Sequence, residues 1–313
     1  MLRKLIERVL ATLPVVLIVA FLIFLMLRLS PGDPAVIMAG DNASPQDVER
    51  IRMQLGLDQP LLLSFLTWLG NVLRGDLGTS LFANMPVTAL IAQRLEPTLM
   101  LAGFATLFSV SLAVPLGVLA ATRQGSWIDR GVMVFVVLGF SMPVFLIGYG
   151  LIKVFAIQLG WVPVQGYVSF WTDPLKALHH LWLPAITIGL VYAALVARMT
   201  RSSMMDVLRQ DYMRTARAKG LRASTILGLH ALKNAAPPIV TTVGAGVAML
   251  LGGVVVTESV FAIPGLGRLT IDVVLRRDYP VIQGLLLLFS LIYFIVNMVV
   301  DMIYVAVDPR VRS

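Results

Sequence analysis

Six stretches of this chain, about 9–29, 98–122, 131–157, 181–197, 237–262 and 281–305, are apolar over roughly the length a helix needs to cross a bilayer. About 20 apolar residues in a helix span roughly 30 Å of hydrocarbon. Lipid offers no partner to an open backbone amide, so a lone crossing segment has to be helical. The predicted fold class is therefore all-α: a polytopic membrane protein with six transmembrane helices. The fourth stretch is short and starts at LWLP, which leaves its ends open. A seventh candidate, LLLSFLTWLGNVL at 61–73, is too short and reads as an interfacial or packed helix.

Composition agrees. Apolar residues make up 58% of the 313 and charged residues 13%, against roughly 45–50% and 25% in soluble domains. The excess is more than one core buries. The chain has no cysteine, which excludes a disulfide framework and thiolate chemistry. Its net charge of +8 raises nucleic acid as a partner. In a membrane protein, cations collecting in cytoplasmic loops explain the charge better, and no nucleic acid is expected. Arg3, Lys4 and Arg8 precede the first apolar run as in a signal peptide. That run is longer than a signal core and no small-x-small site follows, so it reads as a retained helix.

Lysines and arginines near the span ends set the orientation. With the N-terminus inside, segments 1–8, 123–130, 198–236 and 306–313 hold fifteen of them, and the short outer loops 158–180 and 263–280 hold four. Both termini are expected in the cytoplasm. The chain divides into a first helix with an external helical segment (1–97), a five-helix core (98–305) and a tail (306–313). The external part, 30–97, is too long for a mere connection. In it SPQDVERIRMQLGL predicts a helix capped by Ser44, opened by Pro45 and ended by Gly56, with Val48, Ile51 and Leu55 as its apolar stripe. This cap either meets a partner or packs on the protein's own helices.

The segment DYMRTARAKGLRASTILGLHALKNAAPP, 211–238, breaks the apolar pattern with Arg214, Arg217, Lys219, Arg222 and Lys233 against the single acid Asp211. It reads as two short helices. The first runs over about 208–219 and ends at Gly220, the second is capped by Ser224, and Pro237 and Pro238 open the fifth span. A solvated positive-inside loop accounts for the charge alone. It does not account for Thr215, Ala216, Ala218 and Gly220 set between the cations, because small side chains matter where another backbone approaches closely. We read the segment as a docking surface for a cytoplasmic protein.

These residues carry a resemblance. DYMRTARAKGL…HALKNAAPPIVT resembles the cytoplasmic signature of membrane subunits of bacterial ABC importers, and more narrowly the dipeptide/oligopeptide/nickel permease family. The likeness continues in LRLSPGDP (27–34), GDLGTS (75–80), VVVTESVFAIPGLGRL (254–269), RRDYPVIQG (276–284) and VDPRVR (307–312). It implies the ABC importer type I transmembrane fold in a bacterial inner membrane. It also implies a coupling helix at Arg214, Thr215, Ala216, Arg217, Ala218, Lys219, Gly220 and Leu221, seated in a groove of an ATPase. Where importers in general carry Glu-Ala-Ala before a glycine, this chain has Arg214 in the acidic place. The implied assembly is this permease, a second and different permease, two ABC ATPase subunits and an external solute-binding protein, moving peptides. The chain has no G-x-x-x-x-G-K-[ST] phosphate loop, so ATP and magnesium are expected on the ATPase and no cofactor on this chain.

Within the spans, Gly244, Gly246, Gly252 and Gly253 permit close helix contact. They either pack helices or let the fifth span line and move the path. Glu258 either meets the amino group of a peptide or pairs with Arg268, Arg276 or Arg277 near an outer gate. Asn297 and Asp301 share a helix face. Asp301 reads as a tie to Arg310 or as a gate. Adjacent His179 and His180 are a poor metal pair, and no metal is expected.

Rival functions fare worse. An intramembrane protease lacks H-E-x-x-H and cysteine. An ion-coupled secondary transporter needs acids at mid-span, and Glu258 and Asp301 both sit toward span ends. No internal repeat is visible, and six helices enclose little volume, so the path calls for a second chain. Within the resemblance, glutathione and metal chelates stand as alternative substrates.

Overall fold

A computed structural model describes residues 2–29, 32–40, 43–54, 56–80 and 82–307. Thirteen helices follow one another: α1 (Leu2–Arg28), α2 (Pro34–Ala39), α3 (Pro45–Gln54), α4 (Leu61–Leu73), α5 (Val87–Thr122), α6 (Trp127–Ser141), α7 (Val144–Leu151), α8 (Pro174–Leu208), α9 (Asp211–Ala218), α10 (Ala223–Thr225), α11 (Lys233–Val260), α12 (Leu266–Arg276) and α13 (Tyr279–Val307). π-Helical turns extend α7 over Ile152–Gln158 and precede α11 over Ile226–Leu232. Among the described residues the sole β pairing is the isolated bridge Thr79–Pro86. Among the described residues three helices are long and apolar enough to cross a membrane, or up to five spans if each of two bent helix pairs counts as one.

The chain forms two compact units. The first comprises residues 1–95 and 269–292. Here the helix expected after Ser44 forms: the Ser44 hydroxyl accepts from Asp47 N at 3.2 Å, and Gly56 follows at φ +61°. Arg28, at the end of α1, donates to the carbonyls of Gly56 (2.6 Å) and Gln59 (3.0 Å). Ile51 and Leu57 pack on Leu27 and Tyr279, and Arg52 pairs with Asp33. Leu55 lies outside the described residues. Two of the quoted motifs meet in this unit. Ser80, closing GDLGTS, donates to Asp278 of RRDYP at 2.6 Å, with both residues buried. A Cβ on Gly284 would stand 2.7 Å from Val87.

The second unit comprises residues 96–268 and 293–313. Its core runs along α8, which packs against α6, α7 and α11. Asp173 caps α8 by accepting from Lys176 N, and Pro174 fills the first turn, where a missing N–H costs nothing. The helix therefore starts before the predicted 181–197 and carries Pro184 inside it. The third stretch, read as one span, is broken. Met142, placed before Pro143, is held extended (φ −91°, ψ 125°), and the two helical pieces bend by 105°. Pro237 and Pro238, expected to open the fifth span, lie inside α11. The π-helical turn just upstream displaces the regular ladder there, and the hydroxyls of Thr241 and Thr242 bond back to the two proline carbonyls.

The Asp278 clasp generates a test. Burial pushes the Asp278 carboxyl above its ordinary range, against the hydrogen bond from Ser80, which pulls it down. The folded chain thus holds a proton that the unfolded chain releases. This contribution to stability is complete below the ordinary carboxylate value of about 4 and is lost as pH rises through the raised folded value. Thermal unfolding in detergent should show a midpoint that declines as pH rises from about 4 through the raised folded value and levels off beyond it, and Asp278→Asn should flatten the decline. Ser80→Ala should cost about 1–3 kcal/mol, the range for a buried polar group that loses its partner.

Candidate functional site

The basic segment begins where α8 ends. After Arg209 and Gln210 the chain turns into α9, whose Met213 and Ala216 are buried while Tyr212, Arg214, Thr215, Arg217 and Ala218 are exposed. The helix closes in a Schellman motif. Leu221 N bonds Ala216 O at 3.4 Å, Gly220 N bonds Arg217 O at 3.0 Å, and Gly220 takes φ +73°. Glycine is needed there for its conformation. Nothing lies within 4 Å of where a Cβ would stand, so the outer side of Gly220 is open.

The expected second helix is replaced by the short α10 and a π-helical turn, and the N-cap position falls on Arg222 rather than Ser224. Ile226 and Ala231 turn inward. Met213, Ala216, Ile226 and Ala231 belong to one apolar core with Met204 of α8 and Ala235 of α11. The segment is thus two-faced, with an apolar inner side continuous with the helix core and an outer side rich in cations. Of the small residues read as making room for a partner, Thr215, Ala218 and Gly220 face outward and Ala216 packs inward. Arg214 lies 3.5 Å from Asp211, both largely exposed.

Of the residues expected at the path or gate, Gly244 and Gly246 stand where larger side chains do not fit. A Cβ on Gly244 would come within 2.0 Å of Val300, and one on Gly246 within 1.8 Å of Tyr192. The Tyr192 hydroxyl donates to Val243 O, which ties α8 to α11 beside those glycines. The surroundings of Gly252 and Gly253 lie outside the described residues. Asn297 donates to Tyr293 O of its own helix at 2.9 Å. Asp301 is half-buried, and Arg310 lies outside the described residues. His179 and His180 bond the carbonyls of Trp161 and Lys176, and no cluster fit to hold a metal occurs among the described residues.

Glu258 is fully buried. Its Oε1 accepts from the Thr98 hydroxyl at 2.5 Å, and its Oε2 accepts from Arg268 N at 2.9 Å. Thr98 in turn accepts from Leu266 N at 2.8 Å. The first-turn amides of α12 are therefore met by side chains from α5 and α11, and a carboxylate stands at the positive end of the α12 dipole. Gly265 makes room for it, since a Cβ there would fall 2.0 Å from Oε1. The tie to Arg268 runs through its backbone amide.

Sequence reasoning missed three elements. Thr98 completes the Glu258 arrangement. Glu96 accepts from the Ser169 hydroxyl (2.7 Å) and from Phe170 N (3.0 Å), holding the 159–173 loop. Asp129 and Arg201 form a two-pronged pair, 2.8 Å between Nη2 and Oδ2, with Asp129 buried and also accepting from Gly125 N. The S-x-x-D spacing of Ser126 and Asp129 was legible as a helix start, and the Ser126 hydroxyl accepts from Asp129 N. Arg201 looked like one more loop cation.

A model of the binding-protein-dependent transport system inner membrane component matches residues 113–313, and a model of the N-terminal part of such membrane components matches residues 1–102. A probable peptide ABC transporter permease protein of Sinorhizobium fredii is 48% identical over 306 residues, 98% of each chain. A putative peptide transport system permease protein of Brucella abortus is 45% identical over the same length, again 98% of each. The glutathione transport system permease protein GsiC of Salmonella choleraesuis is 45% identical over 312 residues, 100% of this chain and 99% of that one. Among solved structures, the inward-facing methionine ABC transporter MetNI superposes with a TM-score of 0.58 at 21% identity, over 70% of this chain and 96% of that chain.

The Glu258 arrangement yields a stability prediction. Glu258→Ala strips the acceptor from the buried Thr98 hydroxyl and from the half-buried Arg268 N, and should destabilise the purified protein by about 1–3 kcal/mol for the buried donor and less for the other. Glu258→Gln keeps one carbonyl acceptor and should fall between Glu258→Ala and the parent. Thr98→Val should cost less than Glu258→Ala. Thermal unfolding of the three variants in one detergent ranks them.

Proposed function

The chain belongs to the family of binding-protein-dependent transport system inner membrane components, as a permease subunit of an ABC importer, and from that premise we propose that Arg214–Leu221 is its contact with the ATPase that drives it. The subunit is not an enzyme, and the ATPase is a separate chain. The supporting observation is the two-faced segment: exposed cations outside, and an inner face sharing one core with α8 and α11. A load applied to α9 therefore meets packed helices, and interiors packed at crystal-like density transmit displacement.

In this reading six helical spans cross the inner membrane with both termini in the cytoplasm: α1, α5, α6 with α7, α8, α11 and α13. A second permease completes the path, two ATPases bind ATP and magnesium below, and a solute-binding protein delivers cargo above. Closure of the ATPases around ATP rocks the helices and opens the path alternately to each side. The cargo is a peptide, in line with the names of the relatives from Sinorhizobium and Brucella. Glutathione, itself a tripeptide, is the second candidate because GsiC is nearly as similar over the whole chain. Gly244 and Gly246 serve helix packing here, and Glu258 shapes the end of α11 without touching cargo.

Reversing charge at Arg217 and Lys219 together (R217E/K219E) should abolish ATP-driven peptide uptake into proteoliposomes while leaving membrane insertion intact. Gly220→Trp should do the same, and Gly220→Asn, which tolerates positive φ, should keep most of the uptake. Normal uptake in the charge-reversed protein removes the coupling role from this segment.

A further inference from the structure

The outer side of the basic segment is not smooth. Between the end of α9 and the π-helical turn it opens into a notch of about 350 Å³ lined by Arg217, Leu221, Ala223, Ile226 and Leu227. Ile226 belongs to the core at its base, Leu227 is half-buried, and Leu221 and Ala223 are exposed. Lys219 and Arg222 are exposed on the same short stretch, and among the described residues neither they nor Arg217 are engaged in an ion pair. The stretch's one acid, Asp211, is turned to Arg214.

Single exposed apolar residues are ordinary on any surface. Here four apolar side chains converge on one opening among unpaired cations, which is the composition of an interface anchor point: an apolar pocket inside a polar rim. The charge selects the partner. Cations that lose water on docking need carboxylates opposite them, and such complementarity fixes register and speeds encounter. The open side of Gly220 admits a close backbone, which a protein uses and a lipid headgroup does not.

We propose that this notch receives one apolar side chain presented, between flanking carboxylates, by the surface of the ATP-hydrolysing subunit. The inference rests on the coupling reading above and adds a socket to it: the permease does not only insert a helix into the ATPase but also takes a side chain from it.

The test uses the intact complex in nanodiscs, with photo-crosslinking residues placed singly at Leu221, as photo-leucine of nearly the same size, and at Lys219, and the adducts mapped by mass spectrometry. The Leu221 probe, on the notch wall, should capture an ATPase peptide with an apolar residue between Asp or Glu. Ala223→Phe, which fills the notch, should weaken ATPase binding at least tenfold, and Leu221→Asp, at an exposed position that leaves the fold undisturbed, should do likewise. R217E/R222E should weaken binding at low salt and abolish its salt dependence. If Lys219 captures the ATPase but Leu221 captures lipid, another part of this chain, or a peptide without acids, the socket is wrong and coupling stands. Unchanged affinity in both Ala223→Phe and Leu221→Asp has the same meaning. If neither probe reaches the ATPase, the coupling reading itself falls.

Discussion

A backbone amide without a partner costs several kcal/mol in a bilayer, and the places where this chain interrupts its helices show how that cost is met. The interruption after α11 is the most elaborate. Leaving α11 and restarting as α12 frees amides at Leu266 and Arg268, and the chain supplies Thr98 and Glu258 to accept them. Glycine at 265 leaves space for the carboxylate. Glu258, open in the sequence between a contact to a peptide amine and a structural pairing, thus takes part in sealing the start of α12. The same economy explains Asp173 ahead of α8 and the carbonyl of Pro143, which accepts from the first turn of α7.

The basic segment follows a different rule because its outer side is exposed. Its cations need no internal partners, so its sequence is free to encode a surface. The inner side is constrained by packing: Met213, Ala216, Ile226 and Ala231 are the residues that attach it to α8 and α11. This division corrects the idea that all the small residues exist for a partner. Ala216 is small because the core beneath it is full, and Gly220 is glycine because a Schellman closure needs positive φ. What remains for recognition is Thr215, Ala218, the cations and the notch behind them.

Legibility in the sequence tracked the range of the interaction. Local devices were readable: Ser44 three residues before Asp47, and Gly220 after a run ending in Arg217 and Lys219. Apolar length pointed to the long helices because lipid imposes it directly, and among the described residues three to five of the six expected stretches stand as candidate spans. The break at Met142–Pro143 was missed because proline inside an apolar run signals a kink, a stop or nothing, and the sequence holds no arbiter. Asp129 with Arg201, and Glu258 with Thr98, join residues 72 and 160 positions apart. Each member alone has an ordinary surface or gate reading, and only the fold supplies the other.

The Asp129–Arg201 pair bears on how a push at the segment is carried. Arg201 stands on the last turns of α8, just before the chain enters α9, and its partner opens α6. A buried two-pronged pair is a poor source of net stability but a strong fixer of geometry, because breaking it strands a charge. With Gly125 N also on Asp129, the pair locks the α5–α6 turn to the end of α8. In the proposed coupling, displacement entering at α9 would reach α8 and α6 together rather than bend α8 alone. The short connection from α8 to α9 and the shared apolar core of α9, α8 and α11 point the same way: in this unit the basic segment is a rigid extension of the helices it is proposed to move.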